Sequence, residues 1–128
     1  MREIRFRGLR IDGKGWVYGG YFQHTPDEDG VIYYIFDFNE GAVEVITESV
    51  GQFTGLYDKN GKEIYEGDIV SYKRNVGNWT GKSLTTIHEI IFTEEINAFV
   101  MKDNSSYIKL RKHWGYEYEV IGNIYKNA

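Results

Sequence analysis

The chain has 128 residues, a formal net charge of −4 and no cysteine. That length suits a single domain, and the missing thiols exclude disulfides, thiolate metal sites and cysteine nucleophiles. Hydrophobic residues make up 41% and aromatics 16%, with 11 Tyr against 2 Met, which excludes a disordered composition and leans toward β structure.

Charge is unevenly spread. Residues 1–14 carry five basic and two acidic groups, residues 15–58 carry eight acids and no Lys or Arg, and residues 59–128 carry ten basic and nine acidic groups. An acidic block of this kind is either a solvated face, a docking surface for a basic partner, or a mimic of nucleic-acid charge. No apolar run is long enough for a signal peptide or a membrane span, so a cytoplasmic protein without membrane contact is expected.

The first strand is expected over Glu3–Ile11, with Ile4 and Phe6 on one face and Glu3, Arg5 and Arg7 on the other. Asp12-Gly13-Lys14-Gly15 supplies a turn, and Trp16–His24 returns as the second arm of a hairpin. Thr25–Gly30 contains the chain's one proline and reads as a loop. Val31–Phe38 (VIYYIFDF) is apolar almost throughout and is expected to be a strand buried on both faces. Ala42–Ile46 is a further short strand.

Val50–Leu56 is extended. Asp58-Lys59-Asn60-Gly61 is expected to be a tight turn, its Asn-Gly step suiting a type I′ hairpin. Ile64 and Tyr65 continue the chain, Glu66-Gly67-Asp68 turns it again, and Ile69–Tyr72 starts a new strand. Residues 75–86 read as a mobile loop. Glu89–Thr93 pairs with Ala98–Met101 across Glu94–Asn97, Tyr107–Leu110 follows, and Tyr118–Tyr125 closes the chain. No window keeps a 3.6-residue stripe, although a short helical turn near Tyr107–His113 is allowed.

About nine strands joined by short turns make an all-β pattern. The last five, beginning at Asp68, Glu89, Ala98, Tyr107 and Tyr118, suit a small SH3-like barrel with residues 73–88 as its long first loop. Residues 1–50 form a hairpin-rich sheet packed on this barrel region (51–128), within a single domain spanning 1–128. An α+β form with one short helix is the alternative.

The sequence carries few groups arranged for catalysis. Asp58, Glu63, Glu66 and Asp68 cluster, but they fall at turn positions, where carboxylates bond backbone amides, rather than facing one another across a cleft. His24, His88 and His113 are far apart, and His88-Glu89 in a strand point to opposite faces. There is no Gly-x-Ser-x-Gly elbow and no phosphate-binding glycine loop. Asp58–Gly61 lacks the downstream Glu of a calcium loop. No catalytic, cofactor or metal residue is assigned, and the chain is expected not to be an enzyme.

Two basic-aromatic groups are candidate partner-binding sites. Tyr72, Lys73, Arg74, Trp79 and Lys82 form the first. Lys109, Arg111 and Trp114, with Lys112 and His113, form the second. Such groups on small barrels bind nucleic acids, but the overall acidity opposes this.

Three blocks, "REIRFRGLRIDGKGWVYGGYF", "VGQFTGLYDKNGKEIYEGDIV" and "YEVIGNIYKN", appear in this order from Arg2 to Asn127. Together they resemble the YopX family, small proteins of Gram-positive bacteriophages and prophages. The resemblance implies a phage or prophage gene product with a β-rich fold, in the cytoplasm of an infected or lysogenic bacterium. It implies no site residues. The favoured expectation is a non-enzymatic accessory protein that binds an unknown phage or host protein and self-associates as a homo-oligomer. Nucleic-acid binding and acidic inhibition of a host nucleic-acid enzyme are the alternatives.

Overall fold

A computed structural model of the protein describes residues 3–26, 30–75, 81–103, 107–111 and 117–125. The chain is mostly antiparallel strand with almost no helix. The described residues divide into two compact units, one of residues 3–53 with Tyr125 and one of Thr54–Ile124.

The first unit is built from β1 (Phe6–Leu9), β2 (Trp16–His24), β3 (Ile32–Asp37) and β4 (Gly41–Glu44), in the spatial order β4-β3-β2-β1, with the first residues of β5 (Gly51–Tyr57) added beside β1. The sheet curls back on itself. Arg10 bridges Val45, and Ile46 N donates to Leu9 O at 2.8 Å. The curl needs Gly8, because a Cβ there would lie 2.9 Å from Val45 Cβ. Inside it Val17, Ile35 and Val45 are buried, with Phe6, Tyr21, Tyr33, Val43 and Val50 packed against them. A single 3-10 turn, Thr47–Ser49, places the Ser49 hydroxyl to accept from Leu9 N at 2.8 Å.

Two expectations change here. The first strand is shorter than Glu3–Ile11, and Arg7 is buried rather than solvent-facing. Its guanidinium lies 4.1 Å from the Trp16 ring centroid, so a cation on an aromatic face replaces the expected polar exterior. Nor is β3 buried on both faces: Ile35 is fully buried whereas Phe36 is 55% exposed. The curled sheet encloses its inner face and leaves its outer face open.

The second unit holds β6 (Glu63–Tyr65) and a five-stranded sheet of β7 (Asp68–Asn75), β8 (Ser83–Thr93), β9 (Ala98–Lys102), β10 (Tyr107–Lys109) and β11 (Tyr118–Asn123), ordered β10-β9-β8-β7-β11. Its core packs Ile64, Val70, Tyr72, Ile90, Phe99, Met101, Leu110 and Tyr118. Among the described residues no ladder joins β10 to β11, so a closed barrel is not what forms. Of the loop expected over 73–88, residues 73–75 and 83–88 are strand, and 76–80 lie outside the described residues. Lys73, Arg74 and Asn75 pair with Thr85, Leu84 and Ser83, because cross-strand hydrogen bonds and Thr-rich pairing sustain a polar ribbon beyond the core. Tyr107–Lys109 is strand rather than helical turn, and Lys112 and His113, the end of the expected turn, lie outside the described residues.

Asp58 explains the turn before β6. Its Oδ1 accepts from Asn60 N at 2.8 Å and Lys62 N at 2.9 Å, and its Oδ2 accepts from Val120 N at 2.9 Å. Gly61 takes φ 79° but Asn60 keeps negative φ, so this is not the expected type I′ turn. The carboxylate holds the backbone in a different turn, closed by Gly61 N donating to Asp58 O at 3.0 Å. Asp68, also buried, accepts from Tyr65 N at 2.8 Å. Both acids are used as backbone acceptors, at the turn positions where the sequence places them.

Candidate functional surface

The described members of the two basic-aromatic groups are not brought together. Tyr72 is 4% exposed, its ring 5.4 Å from that of Tyr118. It belongs to the core and offers no stacking platform. Lys73, Arg74 and Lys82 are exposed where β7 and β8 run past the core, and Trp79 lies outside the described residues. Lys109 is exposed on β10. Arg111 follows it, its backbone N donating to the Tyr118 hydroxyl at 3.2 Å. Trp114, Lys112 and His113 lie outside the described residues.

The register fixes how far apart the two groups are. Lys73 is level with Thr85, whereas Lys109 is level with Val100 and so with Ile91. Six residues of β8 separate those levels, about 20 Å at the usual strand rise. The basic groups therefore sit toward opposite ends of one sheet.

Of the acidic block, Asp27, Glu28 and Asp29 lie outside the described residues, and the described acids are spread over separate elements. Arg10 binds Asp12 at 3.0 Å and also Glu40. These contacts hold the Arg10 guanidinium above its ordinary pKa, Asp12 first and Glu40 second, and they lower that of Asp12. The Asp37 carboxylate accepts from Glu40 N at 3.2 Å, and Asp58 is the turn acceptor described above. Glu44 and Glu48 remain on the surface.

No group of three or more His, Asp or Glu side chains suited to a metal ion occurs among the described residues. His88 is 3% exposed in the second core. Its Nε2 lies 2.6 Å from Thr86 Oγ1, and its Nδ1 is buried without a hydrogen-bond partner among the described residues. Desolvation lowers its pKa, opposed by Asp103 and reinforced by Arg74.

The surface that sequence reasoning missed is the outer face of β2 and β3. Alternation places Tyr18, Gly20 and Phe22 of β2 outward, and register sets Phe36 opposite Gly20 and Tyr34 opposite Phe22. Tyr18 is 41%, Phe22 40% and Phe36 55% exposed. The Phe22 and Tyr34 rings stack at 5.2 Å with 15° between their planes. The face continues onto β4 with Ala42 and Glu44, opposite Phe36 and Tyr34. The signal was present in the period-two alternation of β2, but the nearly continuous apolar run of β3 hid which of its residues faced outward.

Taken together, fold and surface define a small, two-unit, all-β protein that carries an exposed aromatic sheet face. The chain belongs to the YopX protein family, whose family model matches residues 5–128. It is similar to the crystal structure of protein EF1440 from Enterococcus faecalis, with a TM-score of 0.56 and 23% identity, covering 99% of this chain and 96% of that one. At that identity the likeness shows the fold alone. Comparison with curated proteins gives no match. Among the described residues no helix is long and apolar enough to cross a membrane.

Proposed function

We propose that this is a phage- or prophage-encoded accessory protein that acts by binding another protein in the host cytoplasm, with no catalysis of its own. The observation behind it is the outer face of β2 and β3. Contiguous exposed aromatic surface of this kind is characteristic of interaction sites, and Tyr and Phe are enriched at protein interfaces. The phage setting rests on family membership. The order β11-β7-β8-β9-β10 supports reading the second unit as an open, SH3-like sheet.

Self-association draws less support from strand edges than the sequence suggested. β10 has only three residues, and β11 carries a register shift between Val120 and Gly122. Short and bulged edges are devices that prevent pairing. Sedimentation velocity at low and high salt tests this half of the reading, and a monomer at every concentration removes it. Nucleic-acid binding loses support because the described basic residues lie apart, and acidic inhibition through Asp27–Glu48 loses some because Asp37 and Glu40 are engaged within the chain.

The binding reading is tested by in-cell crosslinking with mass spectrometry on the wild type and on Phe22→Ser/Phe36→Ser. A partner recovered with the wild type and lost with the folded double variant supports it. An unchanged set of crosslinked proteins overturns it.

A further inference from the structure

Neither a positive φ nor a crowding neighbour requires the glycine at position 20, in the middle of β2. It is absent from the residues with positive φ, and a Cβ built on it meets nothing within 4 Å. By contrast, a Cβ on Gly8 would strike Val45, and one on Gly19 would strike the Phe36 carbonyl. A glycine inside a strand costs stability, so one that neither backbone nor packing requires calls for another account. Its surroundings supply it. Tyr18 and Phe22 flank Gly20 along the strand, and Phe36 lies opposite it. The missing side chain leaves an open floor between aromatic walls.

The charge around this trough selects its occupant. Glu44 is exposed on the outer face beside Tyr34, and Arg7, opposite Tyr18 on β1, is buried with its guanidinium on the Trp16 ring. An anionic strand of nucleic acid would be repelled by that carboxylate of Glu44. A cation finds both carboxylate and ring faces, and guanidinium groups settle over Tyr and Phe.

We infer that the trough over Gly20, walled by Tyr18, Phe22 and Phe36, docks an arginine- or lysine-bearing apolar peptide segment of the partner protein. This rests on the protein-binding reading above and names the chemistry of its ligand.

The probe is a fluorescein-labelled 15-residue peptide alternating Arg and Leu. Its Glu/Leu counterpart and a 15-nucleotide oligo-dT are the comparisons, read by fluorescence anisotropy against the full chain at low and moderate salt. The decisive variant is Gly20→Val, which fills the floor, keeps every aromatic ring and suits a strand. Its fold is checked by circular dichroism and thermal melting.

The Arg/Leu peptide is expected to bind, more weakly at higher salt, with the Glu/Leu peptide at least about tenfold weaker. Gly20→Val is expected to weaken binding about tenfold or more without lowering the melting temperature. Equal binding of the two peptides overturns the inference, as does full binding by folded Gly20→Val or displacement of the Arg/Leu peptide by oligo-dT. A crosslinked partner that still depends on Phe22 and Phe36 while the Arg/Leu peptide fails to bind would leave the protein-binding reading standing and remove this one.

Discussion

The two units solve the same problem with different amounts of core. Among the described residues the second buries eight in one cluster, including Tyr72 and Tyr118, and keeps its carboxylates Asp58 and Asp68 as backbone staples. The first clusters Val17, Ile35 and Val45 with half-exposed aromatics around them, and buries Leu9 and Phe53 outside that cluster. Its larger rings are divided between an inner and an outer face, so apolar surface that would deepen a core is left in solvent instead. A unit that spends its aromatics outward is suited to contact, whereas one that spends them inward is suited to holding shape.

Tyr118→Ala tests the inward side and carries the largest expected effect. The ring packs on Tyr72 at 5.4 Å, and its hydroxyl accepts from Arg111 N at 3.2 Å. Burial raises the pKa of that hydroxyl, partly offset by the Arg111 amide. Removing the ring should cost about 3–5 kcal/mol, read by urea unfolding. Hydrogen exchange should show the loss mainly in β7, β8 and β11. Phe36→Ala, an equally aromatic truncation on the outer face of the first unit, should cost under about 1 kcal/mol. Similar costs at the two positions would break the contrast.

Asp58→Ala comes next. Three backbone amides, of Asn60, Lys62 and Val120, lose their acceptor at a buried site. The expected loss is about 3 kcal/mol. Asp58→Asn should recover part of it, since one oxygen remains while the new amide group opposes the Val120 N–H. A loss below about 1 kcal/mol for Asp58→Ala would mean that the staple is dispensable.

Much of this was legible in the sequence. Turn signals at 12–15, 58–61 and 66–68 bracket strands where the structure has them, and β7, β9, β10 and β11 begin at Asp68, Ala98, Tyr107 and Tyr118 as expected. The acids of 51–70 stood at turn positions, and Asp58 and Asp68 serve there. Other features were hidden for physical reasons. Polar residues 83–88 form strand because hydrogen bonds to β7 outweigh their weak apolar pattern. Arg7 is buried because Trp16 lies against it, a contact set by the hairpin register. The aromatic face depends on which side of β3 the curl encloses, and the one-dimensional pattern of VIYYIFDF does not carry that.

In the first unit, Gly8→Ala should cost about 1–3 kcal/mol, because its Cβ would press on Val45 at 2.9 Å. Thermal melting of this variant alone and with Val45→Ala checks the cause. The second substitution makes room, so the pair should be less destabilised than the sum of the two singles. Additive losses would mean that Gly8 is not what permits the curl.

His88 gives a smaller, pH-dependent effect in the second unit. Its folded pKa lies below the ordinary 6.5. Above that pH both states are neutral and it contributes no slope. As pH falls below about 6.5 the unfolded chain takes a proton that the folded chain refuses, so stability declines until the folded pKa is reached. The melting temperature should therefore fall between pH 7.5 and pH 5 by more in the wild type than in His88→Gln. Equal falls would place the proton uptake on other groups.

The smallest effect separates two glycines of the first unit. Gly20→Ala should raise stability by about 0.5–1 kcal/mol, the usual penalty for glycine in a strand interior, because its new methyl group meets nothing within 4 Å. Gly8→Ala, one strand away on β1, should do the opposite. The two glycines are alike in composition and differ only in what stands over them: Val45 in one case, open space between Tyr18, Phe22 and Phe36 in the other. Paired thermal melts of the two variants read the difference directly. A destabilised Gly20→Ala would make that glycine structural after all and remove the reason to look for a ligand above it. A stabilised one leaves a residue that weakens its own strand in order to keep a space open.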